Sequence, residues 1–262
     1  MHFYKFDGAG NDFVMVDNRG ANVTLTAQQI ERICHRRLGV GADGLIMLEK
    51  PASADDVDFR MRYYNSDGHA ATMCGNGARC IVAFAHMLGI IDRKTIFRAD
   101  DGNHTAEIMA WNDAERYGLV RLSMKPVATK DIRRVLDGWL LDTGVPHYVQ
   151  RVTDINAIDV KCEGRHLRNC QELGTDGANV NFISDSEDGT LLVRTYERGV
   201  EDETWSCGTG VTACAIVSGN HRIKTRGGDF KVEFTPTGNG YDNVTLTGPA
   251  ACNFEGDFTL SE

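Results

Sequence analysis

At 262 residues the chain is long enough for one large domain or two smaller ones, either able to bury a core. With 42% hydrophobic and 25% charged residues it reads as globular, and a formal charge of -9 offers no basic field to nucleic acid or to an anionic membrane surface. The opening residues, Met1 to Gly8, carry neither a basic segment leading into an apolar one nor the start of a run of about 18 apolar residues, so no leader or span is expected and the cytoplasm is the expected compartment.

In chain order, the first residues alternate into a strand, Gly8-Ala9-Gly10-Asn11-Asp12 forms a loop, and Phe13-Val14-Met15-Val16 is an apolar strand. Thr26 can cap a helix carrying Ile30, Ile33 and Leu38 at roughly helical spacing, with Gly39 ending it. Gly41-Ala42-Asp43-Gly44 leads into the buried strand Leu45-Ile46-Met47. Phe59 to Tyr64 alternates as a further strand before the turn Asn65-Ser66-Asp67-Gly68. Next comes Met73-Cys74-Gly75-Asn76-Gly77-Ala78-Arg79-Cys80, a thiol before a glycine-rich turn that opens onto a helix apolar nearly all round, Ile81 to Leu88. A hairpin follows, Thr95 to Ala99 and Thr105 to Met109.

The second half repeats this order. Gly144-Val145-Pro146-His147 answers the first loop, and Ile155 to Leu167 is a looser counterpart of the capped helix. Gly177-Ala178-Asn179-Val180-Asn181-Phe182 answers the first buried strand, and Leu192 to Tyr196 runs into Glu197-Arg198-Gly199. Then Ser206-Cys207-Gly208-Thr209-Gly210 opens a second apolar helix 133 residues after the first (207 minus 74), and a hairpin of Lys231 to Thr235 and Val244 to Thr247 closes the repeat. One conserved order of short matches implies duplication. The expected fold is α/β (α+β): two pseudosymmetric domains, each a curved sheet or open barrel around a central helix. The expected bounds are 1-115 and 116-249, joined near Asp113 to Tyr117, with 250-262 returning to the first domain and a cleft between the halves.

Eight cysteines without an export signal read as reduced thiols, and no C-x-x-C spacing supports a structural metal site, so no metal is expected. A thiol at a helix N-terminus meets unpaired backbone N–H groups and the positive end of the helix dipole, which favour thiolate. The same donors can hold a carboxylate, and the turns Gly75-Asn76-Gly77 and Gly208-Thr209-Gly210 let the backbone approach one closely. Two such thiols suit two-base inversion of a stereocentre, one removing a proton and the other returning one to the opposite face. The reference thiol pKa, about 8.5, lies near enough to neutrality for one to start as base and one as acid. Cys34, Cys80, Cys162, Cys170, Cys214 and Cys252 read as core or surface residues. His147 can tune a thiol, orient a substrate or simply be hydrogen-bonded structure. Glu197-Arg198 can hold a carboxylate or form a solvated ion pair. There is no complete dinucleotide fingerprint, no phosphate-binding loop and no evident Schiff-base lysine.

Gly8-Ala9-Gly10-Asn11-Asp12-Phe13, Asn65-Ser66-Asp67-Gly68, Met73 to Cys80, Asn179-Val180-Asn181-Phe182, and Glu197-Arg198-Gly199 through Glu203-Thr204 to Cys207-Gly208-Thr209-Gly210 together resemble the diaminopimelate epimerase family, from one end of the chain to the other. The resemblance implies a cofactor-independent interconversion of LL- and meso-diaminopimelate in lysine and peptidoglycan precursor biosynthesis, by a homodimer whose partner molecule is a small amino acid, with no role for nucleic acid or membrane. It implies Cys74 and Cys207 as the exchanging base and acid. Asn11, Asn65, Asn179, Glu197 and Arg198 are implied as substrate-binding, with the turn residues Gly75, Asn76, Gly208 and Thr209 holding a carboxylate, and His147 and Glu197 as modulators of thiol pKa. Two positions depart from the family's usual pattern: His69-Ala70 in place of Ser-Glu, and Val145 in place of Asn, which removes a polar side chain and bears on substrate detail. Two other readings share the cysteines: a cysteine-pair racemase for proline-like substrates, and a thiol redox protein working through a reversible disulfide.

Overall fold

The computed structural model describes residues 1–52, 56–71 and 73–260. The chain forms two compact units, Met1–Leu122 with the tail from Pro249, and Ser123–Gly248. The last strand, Gly240–Asp257, begins in the second unit and ends in the first, where its residues 251–257 pair antiparallel with His2–Asp7. Residues 261 and 262 of the expected returning tail lie outside the described residues. No helix of the described residues is long and apolar enough to cross a membrane.

Both units are built on one plan. Helices α1 (Ala27–Cys34), α2 (Gly75–Met87), α3 (Val160–Arg168) and α4 (Gly208–Ser218) alternate with strands. In the first unit Asp12–Asp17 runs parallel to Gly44–Glu49, which pairs antiparallel with Phe59–Asn65, which in turn runs parallel to Lys94–Ala99. In the second, Pro146–Arg151, Asn179–Asp185, Leu191–Glu197 and Arg222–Lys224 repeat those pairings in the same senses. The protein is therefore the expected duplicated α and β fold, each curved sheet packed around one central helix.

The physical reason is burial on both sheet faces. Residues 76–85 of α2 are all buried, so this helix has no solvent side and must be enclosed. Phe6 of the first strand meets Phe84 within it edge to face, and Tyr4 packs against the same ring at a tilt. On the opposite face Val14, Val16, Leu45 and Met47 pack under Ile30 and Ile33 of α1. The second unit places Tyr148, Val180 and Phe182 beside Val160 of α3 in the same way. Strands covered on both sides read as continuous apolar runs, and alternation then decides which layer each residue meets.

Thr26 caps α1 as expected, its hydroxyl accepting from Gln29 N–H while the Gln29 side chain accepts from Thr26 N–H. The helix does not reach Gly39. It stops at Cys34 because His35 takes extended backbone angles, φ -66° and ψ 119°, and its Nδ1 accepts from Arg37 and Leu38 N–H. Leu38 is consequently 56% exposed, whereas Ile33 is fully buried. Ile33→Ala should cost about 2–5 kcal/mol in denaturant unfolding and Leu38→Ala no more than about 0.5 kcal/mol; equal costs would contradict this helix end.

Candidate active site

Cys74 and Cys207 are the N-cap residues of the two central helices, with almost the same backbone: φ -127°, ψ 123° at Cys74 and φ -127°, ψ 113° at Cys207. Each cysteine carbonyl accepts the first helical hydrogen bond, from Ala78 at 2.7 Å and from Val211 at 2.8 Å. Neither side chain caps its own helix, so the thiols do not compete for the first-turn N–H donors.

In the first unit Asn11 meets this turn. Its amide nitrogen donates to Asp43 Oδ2 at 2.6 Å, which turns Oδ1 towards the thiol. That oxygen accepts from Cys74 Sγ at 3.5 Å and from Asn76 Nδ2 at 3.3 Å. Asn76 is oriented in turn by the fully buried Arg79, whose Nη2 donates to Asn76 Oδ1 at 2.9 Å and to Gly8 O at 3.2 Å. Behind Asn11, Arg36 bridges Asp12 and Asp43, and Lys5 reaches Asp12 and Gly41 O. Burial raises the Asp12 carboxyl, but the hydrogen bonds from Arg36 and Lys5 outweigh it and hold the pKa at about 2.

In the second unit a different set of side chains stands under the helix. His147 is fully buried, with Nε2 at 2.9 Å from Thr209 Oγ1 and Nδ1 at 3.1 Å from Asn181 Nδ2. Thr209 Oγ1 lies 3.4 Å from Cys207 Sγ. Asn179 accepts from the Arg198 backbone N–H at 2.8 Å, and the Arg198 guanidinium donates to Gly177 O at 3.3 Å. Burial depresses the His147 pKa to about 3, so the ring is neutral at physiological pH and acts by hydrogen bonding rather than by charge.

The described bonds thus gather Asn11, Cys74 and Asn76 in one unit and His147, Asn179, Cys207 and Thr209 in the other. Asn65 and Glu197 end equivalent strands, Phe59–Asn65 and Leu191–Glu197. Gly75 and Gly208 are the first residues of α2 and α4. Of the remaining thiols, Cys80 and Cys214 lie inside the helices and burial pushes both well above the usual range; burial takes Cys34 up to about 12. These are inert core groups.

Sequence reasoning passed over Asn181, Asp43 and Arg36. A signal for Asn181 was present, a second asparagine on the inward parity of an otherwise apolar strand, two residues after Asn179. Nothing local distinguishes Asp43 or Arg36 from surface charges.

The neutral state of His147 has a consequence for stability. The unfolded chain binds a proton near 6.5 and the folded chain only near 3, so folding loses stability as pH falls between those values, by at most about 1.4 kcal/mol per pH unit. Replacing His147 with Gln removes this contribution. Between pH 6.5 and pH 5 the wild type should lose about 1.6 kcal/mol more unfolding free energy than His147→Gln; equal losses would mean the folded imidazole is protonated.

A family description, "Diaminopimelate epimerase", matches residues 3–124 and 139–252. The diaminopimelate epimerase of Flavobacterium psychrophilum is 45% identical, over 97% of this chain and 99% of its own, and that of Chlorobaculum tepidum 41%, over the same shares. Among solved structures, a PhzF-family phenazine biosynthesis protein of Bacillus anthracis superposes with a TM-score of 0.70 at 15% identity, covering 99% of both chains. A hydroxyproline epimerase of Agrobacterium vitis gives 0.66 at 15% identity, covering 98% of this chain and 91% of its own. At such low identity these two attest the fold alone. Sequence relationship across nearly the whole chain, joined to paired cysteine N-caps on a duplicated fold, is decisive: the chain belongs to the diaminopimelate epimerase family and is an isomerase of the racemase and epimerase class.

Proposed function

We propose that this enzyme interconverts LL- and meso-diaminopimelate without a cofactor, one of Cys74 and Cys207 removing the α-proton as thiolate and the other delivering a proton to the opposite face as thiol. The observation that carries the reading is the pair of cysteines at the N-caps of two duplicated helices with matching backbone angles. Matched backbone supplies matched chemistry: a thiol beside first-turn N–H donors that can take a substrate carboxylate. The α-proton of an amino acid is very weakly acidic, and preorganised donors at the carboxylate stabilise the charge that develops as it leaves.

Asn11, Asn65, Asn179, Glu197 and Arg198 serve as substrate-binding residues in this reading, with the turns Gly75-Asn76 and Gly208-Thr209 receiving the carboxylate. His147 acts on a thiol through its neutral ring. Glu197, at the end of its strand, is the second modulating residue. The reading extends to a cytoplasmic homodimer on the route to lysine and peptidoglycan precursors, and family membership supports each of these.

Incubation with either isomer in deuterated solvent, under reducing conditions, should incorporate deuterium at the α-carbon and produce the other isomer. No exchange and no inversion would overturn the assignment. Cys74→Ala and Cys207→Ala should each lower kcat/KM on the order of a hundred- to ten-thousandfold, the usual weight of a proton-transfer residue, while Cys80→Ala should have a mild effect. A fully active Cys207→Ala enzyme would rule out two bases.

A further inference from the structure

The two halves share a backbone but not the layer beneath the thiol. In strand register, Phe13, Gly44, Ile46 and Tyr63 of the first unit correspond to His147, Asn179, Asn181 and Thr195 of the second. The third residue of each central helix confirms the correspondence. A Cβ on Gly77 would meet Ile46 Cδ1 at 2.7 Å and Phe13 Cζ at 3.4 Å, and one on Gly210 would meet Asn181 Oδ1 at 2.4 Å and His147 Cε1 at 3.2 Å. The floor under Cys74 is apolar where the floor under Cys207 is a buried hydrogen-bonded chain.

The directions in that chain can be read from its fixed end. Asn181 Oδ1 accepts from Thr195 Oγ1 at 2.9 Å, and Asn181 Nδ2 donates to Tyr148 O at 3.0 Å, a carbonyl that can only accept. The amide is therefore oriented, and its nitrogen faces His147 Nδ1 as a donor. Nδ1 of the neutral ring accepts from this amide at 3.1 Å, which leaves the ring proton on Nε2; Nε2 lies 3.5 Å from Asn179 Nδ2 but 2.9 Å from Thr209 Oγ1, and the shorter contact is the bond, donated to the hydroxyl. With one lone pair so engaged, the Thr209 hydroxyl is free to direct its own hydrogen at Cys207 Sγ. A donor aimed at sulfur stabilises thiolate over thiol.

Cys74 has the opposite partner. Asn11 Oδ1 can only accept, and it is held on Sγ by Asp43 from one side and by the Arg79–Asn76 chain from the other. An acceptor at that distance stabilises S–H. The Arg79 charge favours thiolate at Cys74, but its bond to Asn76 Oδ1 is also what turns Asn76 Nδ2 onto Asn11 Oδ1 and keeps the acceptor in place. The charged groups acting on His147 are Asp142 and Arg198, and neither reverses its neutral state.

We propose that the free enzyme rests with Cys207 as thiolate and Cys74 as thiol, and that Asn181 is the positioning residue that sets this asymmetry through His147 and Thr209. The inference rests on the two-thiol reading. In a turnover Cys207 takes the substrate α-proton and Cys74 gives up its own to the opposite face, leaving the pair in the reverse state, which must be reset before the resting form returns.

The test reads thiolate absorbance near 240 nm in the whole, reduced enzyme at neutral pH. The band should persist in Cys74→Ser and vanish in Cys207→Ser; it should drop several-fold in Thr209→Val and recover in Thr209→Ser, which keeps the hydroxyl. Persistence in Cys207→Ser with loss in Cys74→Ser overturns the proposal, as does a band indifferent to Thr209→Val. Nitrogen-15 NMR of the imidazole, assigned with His147→Gln, should show Nδ1 unprotonated in the wild type and a shift from that pattern in Asn181→Ala. A proton on Nδ1 of the wild type also overturns it. Deuterium exchange by the same wild-type preparation separates the two levels: exchange with a reversed band pattern sinks only this inference, and absence of exchange sinks the two-thiol reading itself.

Discussion

Everything at this site depends on how closely a helix N-terminus can be laid against a sheet. The first turn of each central helix is seated on inward-facing side chains of the parallel strand pair. In the second unit the clearance at Gly210 is so small that a single methyl group would overlap Asn181 Oδ1. Glycine at the third helical position is the concession that permits this approach, and its conformational cost is offset by enclosure of the whole helix. The N-cap position that results belongs to a cysteine in both units. Its extended backbone leaves the thiol beside the helix end and the first-turn donors uncapped by its own side chain.

Duplication supplies two such positions at once, and the physics of burial then lets them diverge. Under Cys74 the strands offer Phe13 and Ile46, ordinary core residues. Under Cys207 the same positions carry His147 and Asn181, polar groups that can be buried only if every member of the chain is hydrogen-bonded. They are bonded in sequence, from Thr195 through Asn181 and His147 to Thr209. A buried polar chain of this kind has direction, and direction is what distinguishes one thiol from an otherwise equivalent one. The exposed side of the problem is handled differently. Around Asn11 the loop is pinned by the ion pairs of Arg36 and Lys5 with Asp12 and by Arg36 with Asp43, which orient an amide rather than supply charge to the thiol.

Much of the fold was legible in the residues. The Thr26 cap, the apolar strands, the cysteine-glycine turns and the hairpins all appear where local pattern places them, because turn chemistry, capping and enclosure act over a few residues. The end of α1 was not legible. Leu38 continues the apolar spacing of Ile30 and Ile33, yet the chain leaves the helix at His35, whose imidazole captures two backbone donors. A side chain bonding to its own backbone is a local event that hydrophobic spacing does not register.

By itself the sequence determined that there are two thiol turns in a repeated order and which residues belong to them, since motif, spacing and glycine placement are properties of the chain. Only tertiary structure decided what each thiol faces. Asn11 and Asp43 come together across 32 residues, and His147, Asn181 and Thr209 across 62. Strand register, not proximity in sequence, sets those meetings. The polarity of His147 was likewise a matter of tertiary structure. Its pKa of about 3 follows from complete burial, and burial depends on the whole unit closing around α4 rather than on the neighbours Pro146 and Tyr148.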